Sequence, residues 1–485
     1  MKHFLKTYRY EIIAGLSGAV VMMLELVGAR MVAPYFGTSI YVWTAMIGVI
    51  LGSLSVGYWY GGKIADKHAT DRGLAGILSM AAVLVGASVL IQEPLLHAVA
   101  NSGLDLRAQA VLAALLLFAP ASCLLGIVSP YVVKLRISSL STAGSSVGRL
   151  YAAGTAGSII GTFATGYWLI AWLGNYTLGL SLVILLIAVS YIAHGAAWRW
   201  QRAVIAVVAA ISLLVPVAPP AGVVGDIDSA YSRYFVSETT SGGITVRRLL
   251  TDNRGAQSGY VVGQPDELVF GYTQGFKAVS DAFGPIKKSL MIGGGVYTFP
   301  GLIARQQPNA AIVAVEIDPE LDDIAKKYFD FKQPQNLQIT HQDGRVFLNQ
   351  NNTTYDIVFM DAFSSLSPPY QLSTIETSQA LKRAITPQGI VVANVIARPN
   401  GSDPYFAATY RTYHHVFDSV RVYRVQPLAT ETMRQNLLFV MGDKDAVERI
   451  NIQLAQYAEA QYPAAGQILR DDFAPVDQLI SSSES

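Results

Sequence analysis

The sequence predicts a polytopic α-helical membrane domain of about seven spans followed by an open, mostly parallel α/β domain, and three observations predict it. Over 485 residues the chain is 52% hydrophobic and only 14% charged, too apolar for a wholly soluble protein. The net charge of +1 averages two unlike halves, because most Asp and Glu residues lie beyond about residue 220. From Ser289 onward, strand, glycine-rich turn and helix alternate, which is the order of a parallel sheet with helices on both faces. The expected organisation is a transmembrane helical domain over 1–220, a β-hairpin region over 221–288, and a Rossmann-like α/β domain with a C-terminal tail over 289–485.

Apolar runs long enough to approach or cross a hydrocarbon core occur at about 12–34, 41–60, 73–91, 108–133, 150–173, 176–192 and 203–218. Basic Lys2, Lys6 and Arg9 precede the first run, which exceeds the apolar core of a secretory signal and reads as a first span. Gly154, Gly157, Gly161 and Gly166 crowd the fifth; such residues permit close helix packing or line a transport path. Glu25 and Arg30 are charges inside an apolar stretch, each costing several kcal/mol if unpaired, and read as a pair, as snorkelling side chains or as a polar site between helices. With seven spans, nearly all basic loop residues fall on one side, so the protein is expected in the cell (inner) membrane, N-terminus cytoplasmic. The same count would place the soluble domain outside.

Composition also excludes. No basic field supports nucleic-acid binding. The single cysteine, Cys123, rules out a disulfide framework or a cysteine metal site, and His341, His414 and His415 lack the spacing that joins metal ligands.

In the second half, Gly243–Leu250 and Ala256–Val262 alternate like paired strands. A strand over Ser289–Ile292 runs into Gly293, Gly294 and Gly295, where the backbone can approach a ligand and turn into a helix near Tyr297. The strand Ala311–Val315 ends at Glu316, with Asp318 two further on, placed to accept both hydroxyls of a ribose. Strands near Leu337–Thr340 and Asp356–Met360 lead to Asp343–Gly344 and to Asp361. One such acid reads equally as a helix cap; three at one sheet edge point to a ligand crevice. No Lys or Arg has P-loop spacing, which favours a nucleoside without pyrophosphate.

At these residues the chain resembles the polyamine aminopropyltransferase (spermidine synthase-like) family, in particular its bacterial membrane-fused members. The likeness runs from about Asp226 to Leu479 through YSRYFV, RRLLTDNRGAQSGY, FGYTQ, LMIGGGVYTFP, VAVEIDPEL, HQDGRVFL, YDIVFMDAF and LRDDFAPVDQL. It implies a Rossmann-like, methyltransferase-type domain that takes S-adenosylmethionine or its decarboxylated form as co-substrate, with no other cofactor and no metal. It further implies that Gln257 contacts the donor's amino-acid-like tail, that Gly293, Gly294, Gly295 and Gly344 line the donor, that Glu316 holds the ribose and that Asp343 faces the adenine amino group. Asp361 and Tyr272 match catalytic positions, and Gln274 and Ser364 fall on the substrate side. Apart from the resemblance, Tyr272 reads as a packed aromatic and Asp361 as a cap.

Two departures bear on the acceptor. The family carries an acid directly after the three glycines and another three residues after the first catalytic acid, where this chain has Val296 and Ser364. An ammonium buried without a carboxylate is costly. Three functions follow: an aminopropyltransferase making spermidine or a related polyamine; a methyltransferase, or a lyase in which the donor's own carboxylate displaces methylthioadenosine; and a non-catalytic nucleoside or polyamine sensor or transporter. The partners expected are a small amine or no acceptor, the lipid bilayer, and a second copy through the soluble domain. Asp471 and Asp472 read as closing over the site or as solvated, and the terminal SSSES as disordered.

Overall fold

The computed structural model describes residues 7–37, 39–137, 143–194, 222–251, 255–362, 369–426 and 429–482. The chain forms two units, residues 1–219 with 227–233, and residues 220–226 with 234–485.

The first unit holds α1 (Arg9–Phe36), α2 (Ile40–His68), α3 (Asp71–Ala100), α4 (Leu106–Leu117), α5 (Ala119–Arg136), α6 (Ala143–Ala164), a π turn over Thr165–Leu169, and α7 (Ile170–His194). Four helical segments, α1, α2, α3 and Trp172–His194, are long and apolar enough to cross a membrane. A fifth is α4 with α5 if that pair, bent by 55°, is one span. Pro120 opens α5, where its ring and missing N–H prevent α4 from continuing straight. Among the described residues this measure therefore gives four spans, or five with the bent pair. The run at 150–173 is helical but does not reach that measure, and the run at 203–218 lies outside the described residues.

The glycines of α6 serve close packing. A Cβ on Gly157 would run into the backbone of Gly15, and one on Gly161 would lie 2.8 Å from Ala19 Cα. Glu11 pairs with Arg149 at 2.9 Å and with Arg136 at 3.5 Å. Glu25 and Arg30 do not pair. Arg30 donates to the carbonyls of Ser229 (2.7 Å) and Ala230 (3.0 Å).

In the second unit, β1 (Val223–Asp228), β2 (Arg233–Ser241), β3 (Ile244–Thr251) and β4 (Gly255–Val261) form a four-stranded sheet in that order, the last three antiparallel. After α8 (Gly271–Phe283) come β5 (Lys288–Ile292), α9 (Thr298–Gln306), β6 (Ala311–Glu316), α10 (Glu320–Tyr328), β7 (Leu337–His341), α11 (Gly344–Gln350), β8 (Tyr355–Met360), α12 (Ile375–Arg383), β9 (Ile385–Ala397), α13 (Pro404–His414), β10 (Ser419–Arg424), β11 (Gln435–Gly442), α14 (Lys444–Gln453), β12 (Ala458–Glu459) and α15 (Val476–Ser482). Their sheet has the order β12-β10-β11-β9-β8-β5-β6-β7, with β9, β8, β5, β6 and β7 parallel.

Near-continuous apolar runs such as Leu290–Ile292 and Ile357–Phe359 are buried, as strands covered on both faces require. The order reverses at β5, which lies between β6 and β8. In open α/β sheets the ligand crevice forms outside the carboxyl ends of the strands at such a point, and Gly293, Glu316 and Asp361 all follow those ends.

Candidate active site

The three glycines after β5 are fixed by what surrounds them. Gly293 has φ +89°, and a Cβ there would collide with the backbone carbonyl of Asp361. Gly295 has φ +53° and lies against Ser258 Oγ, which accepts the N–H of Val296 at 3.4 Å. Val296 is fully buried. Tyr297 is left-handed at φ 59°, a conformation that costs about 1–2 kcal/mol without glycine. Its ring packs under Gly294 and its hydroxyl donates to Asp322 Oδ1 at 2.6 Å, both of which hold the turn in place.

Glu316 is almost fully buried at the end of β6. Its Oε2 accepts the N–H groups of Gly294 (2.8 Å) and Gly295 (3.0 Å), and its Oε1 those of Ile317 (2.8 Å) and Asp318 (3.2 Å). Burial pushes this carboxyl above its usual range, and the four N–H donors oppose that shift. A carboxylate has about four acceptor positions, so a ribose diol must share or displace the glycine-turn donors. Asp318 accepts from Tyr234 Oη at 2.8 Å and from the N–H of Glu320 at 3.1 Å.

Asp361 follows β8 and keeps a partly exposed surface. Burial pushes its carboxyl up to about 6, hydrogen bonds from Asn394 and Tyr272 oppose the shift, and the charge of Glu316 adds to it. Asn394 Nδ2 donates to Asp361 Oδ1 at 2.9 Å, and Asn436 Nδ2 donates to Asn394 Oδ1 at 3.0 Å. That chain fixes which way each amide faces. The Tyr272 hydroxyl donates to the Gln257 carbonyl at 3.1 Å and lies beside Asp361. Burial beside Asp361 pushes the Tyr272 hydroxyl well above its usual range. Its ring stacks on Phe270 and meets the edge of Phe276.

The remaining sequence-predicted residues divide. Asp343 caps α11 through Val346 N–H at 3.0 Å, with Gly344 as the first helical residue. Gln257 enters through its main chain. Gln274 is exposed, and its side chain donates to the Leu268 carbonyl at 2.9 Å. Ser364 lies outside the described residues. Asp471 pairs with Arg345 at 2.7 Å and accepts from Thr374, which ties the C-terminal segment to α11 and α12. His341 Nε2 lies 3.3 Å from Asp322. Among the described residues no group of three His, Cys, Asp or Glu side chains could hold a metal. Sequence reasoning missed Asn394 and Asn436; the signal for the first was a lone amide in the apolar run GIVVANVIA.

A family model described as spermine/spermidine synthase domain matches residues 275–449, so the C-terminal part carries such a domain. A probable polyamine aminopropyl transferase of Bifidobacterium longum is 30% identical over 129 residues, 27% of this chain and 28% of that protein. The polyamine aminopropyltransferase of Vibrio vulnificus is 26% identical over 209 residues, 40% of this chain and 70% of that protein. The chain therefore spans under a third of the first relative's length and about two thirds of the second's. Among solved structures, a probable spermidine synthase from Corynebacterium glutamicum is 20% identical with a TM-score of 0.43, covering 53% of this chain and 99% of that one.

Proposed function

From the spermine/spermidine synthase domain in its C-terminal part, we propose that the protein is a membrane-anchored aminopropyltransferase that uses decarboxylated S-adenosylmethionine as donor and a small amine as acceptor. The observation that supports this most is Asp361, a carboxylate at the sheet's switch point whose pKa of about 6 suits a base near neutral pH. In this reading a neutral amine nitrogen attacks the donor carbon bonded to the positive sulfur. The new C–N bond forms as the C–S bond breaks, methylthioadenosine leaves with the electron pair, and the proton of the alkylated amine passes to Asp361. Tyr272 and Asn394 orient that carboxylate. Glu316 and the glycine turn hold the ribose, Asp343 and Gly344 the adenine side, and Gln257 the donor's tail. The reaction is mostly positioning, since the sulfonium already activates the carbon.

A second reading is favoured by Arg398. It follows β9 at the same sheet edge, its buried Nε has no partner among the described residues, and the acid expected at position 296 is the buried Val296. A cation there suits a donor that keeps its carboxylate, namely S-adenosylmethionine consumed by a lyase or a methyltransferase. The lipid bilayer and a second copy of the chain are the proposed partners.

Purified protein incubated with each donor, with and without putrescine, separates the readings by mass spectrometry. Spermidine formed only with putrescine supports the transferase. Methylthioadenosine formed from S-adenosylmethionine without an amine supports the lyase, and S-adenosylhomocysteine supports methyl transfer. Donor binding without turnover overturns all of them in favour of a sensor.

A further inference from the structure

The strongest feature that the proposed chemistry leaves unused is in the helical unit. Of the two carboxylates on α1, Glu11 has two arginine partners. Glu25 is half-buried near the middle of the same apolar helix and has no hydrogen bond or ion pair among the described residues. A carboxylate in such a place costs several kcal/mol unless something compensates it.

What faces it follows from register. Helices α1 and α6 run parallel and touch along small residues: Gly18 meets Gly154 and Ser158, and Ala19 meets Gly161. Moving seven residues along both helices returns to the same seam. That step carries Gly18 to Glu25, Gly154 to Gly161 and Ser158 to Thr165. Thr165 is the first residue of the π turn, and α1 still packs against that turn. Thr165 is 0% exposed, and its Oγ1 has no hydrogen-bond partner, not even the carbonyl one turn back that a helical threonine commonly uses. π turns interrupt the regular hydrogen-bond ladder and recur at functional sites.

We propose that Glu25 and Thr165 form an oxygen-lined site for a monovalent cation, either an alkali ion or a small protonated amine. Such a cation neutralises Glu25 and uses the unpartnered Thr165 oxygen.

The test is thermal unfolding of the full-length protein in detergent, in choline chloride against sodium, potassium or ethylammonium chloride at equal total chloride. The wild type is expected to gain stability saturably with at least one small cation, and the responding salt identifies alkali ion or amine. Glu25→Gln is expected to lose the response and to be the more stable protein in choline chloride, because it removes an uncompensated charge. Thr165→Val is expected to need about tenfold more cation. A wild type that unfolds alike in all four salts, or a Glu25→Gln variant that responds as the wild type does, overturns the proposal.

Discussion

Glu316 and Asp361 are carboxylates at the carboxyl ends of β6 and β8, the two strands that flank β5, and burial pushes both upward. They differ in how they are held. Four backbone N–H groups grip Glu316, all from the glycine turn and its own next two residues. Two side chains hold Asp361, Tyr272 from α8 and Asn394 from β9. A backbone cradle is rigid and indifferent to side-chain substitution, which suits a group that positions a ligand. A side-chain cradle can be adjusted one residue at a time, which suits a group whose basicity matters.

That contrast can be broken in several ways. The largest effect is expected from Asp361→Asn, which removes the base: turnover should fall about 10²–10⁴-fold while donor binding by calorimetry changes little. An equal loss of binding would show that Asp361 holds the donor instead. Glu316→Gln places an amide N–H against backbone N–H donors, so donor affinity should weaken by about tenfold or more, with a lower melting temperature. Tyr272→Phe, which keeps the stacked ring, should cost about tenfold in turnover with an unchanged donor affinity.

The smallest effect is on stability. The carboxyl of Asp361 titrates higher in the folded protein than its ordinary 3.8. The folded state therefore holds this proton more tightly, and its contribution to stability falls as pH rises from about 4 to about 6, then levels off. Asp361→Asn should raise the melting temperature at pH 8 more than at pH 4.5.

The α/β order and the carboxylates after its strands were legible because strand ends and glycine turns are local signals. The glycine turn was legible for the same reason: Gly293 needs a positive φ and no Cβ. Hydropathy alone does not separate a span from the bend at Pro120 or the π turn at Thr165, and the described helices give four or five spans. Asn394 was missed because its partner is 33 residues away and only the pairing of β8 with β9 joins them.

The most direct test of Asp361 as a side-chain-tuned base is the pH dependence of kcat/KM. In the wild type the rate should fall as pH drops through about 6. Asn394→Ala and Tyr272→Phe each remove a donor that favours the ionised carboxylate, so the midpoint should move up, by about one unit for the first. Glu316→Gln removes a neighbouring negative charge and should move it down. A midpoint that stays fixed in all three variants would contradict the assignment of Asp361 as the titrating group.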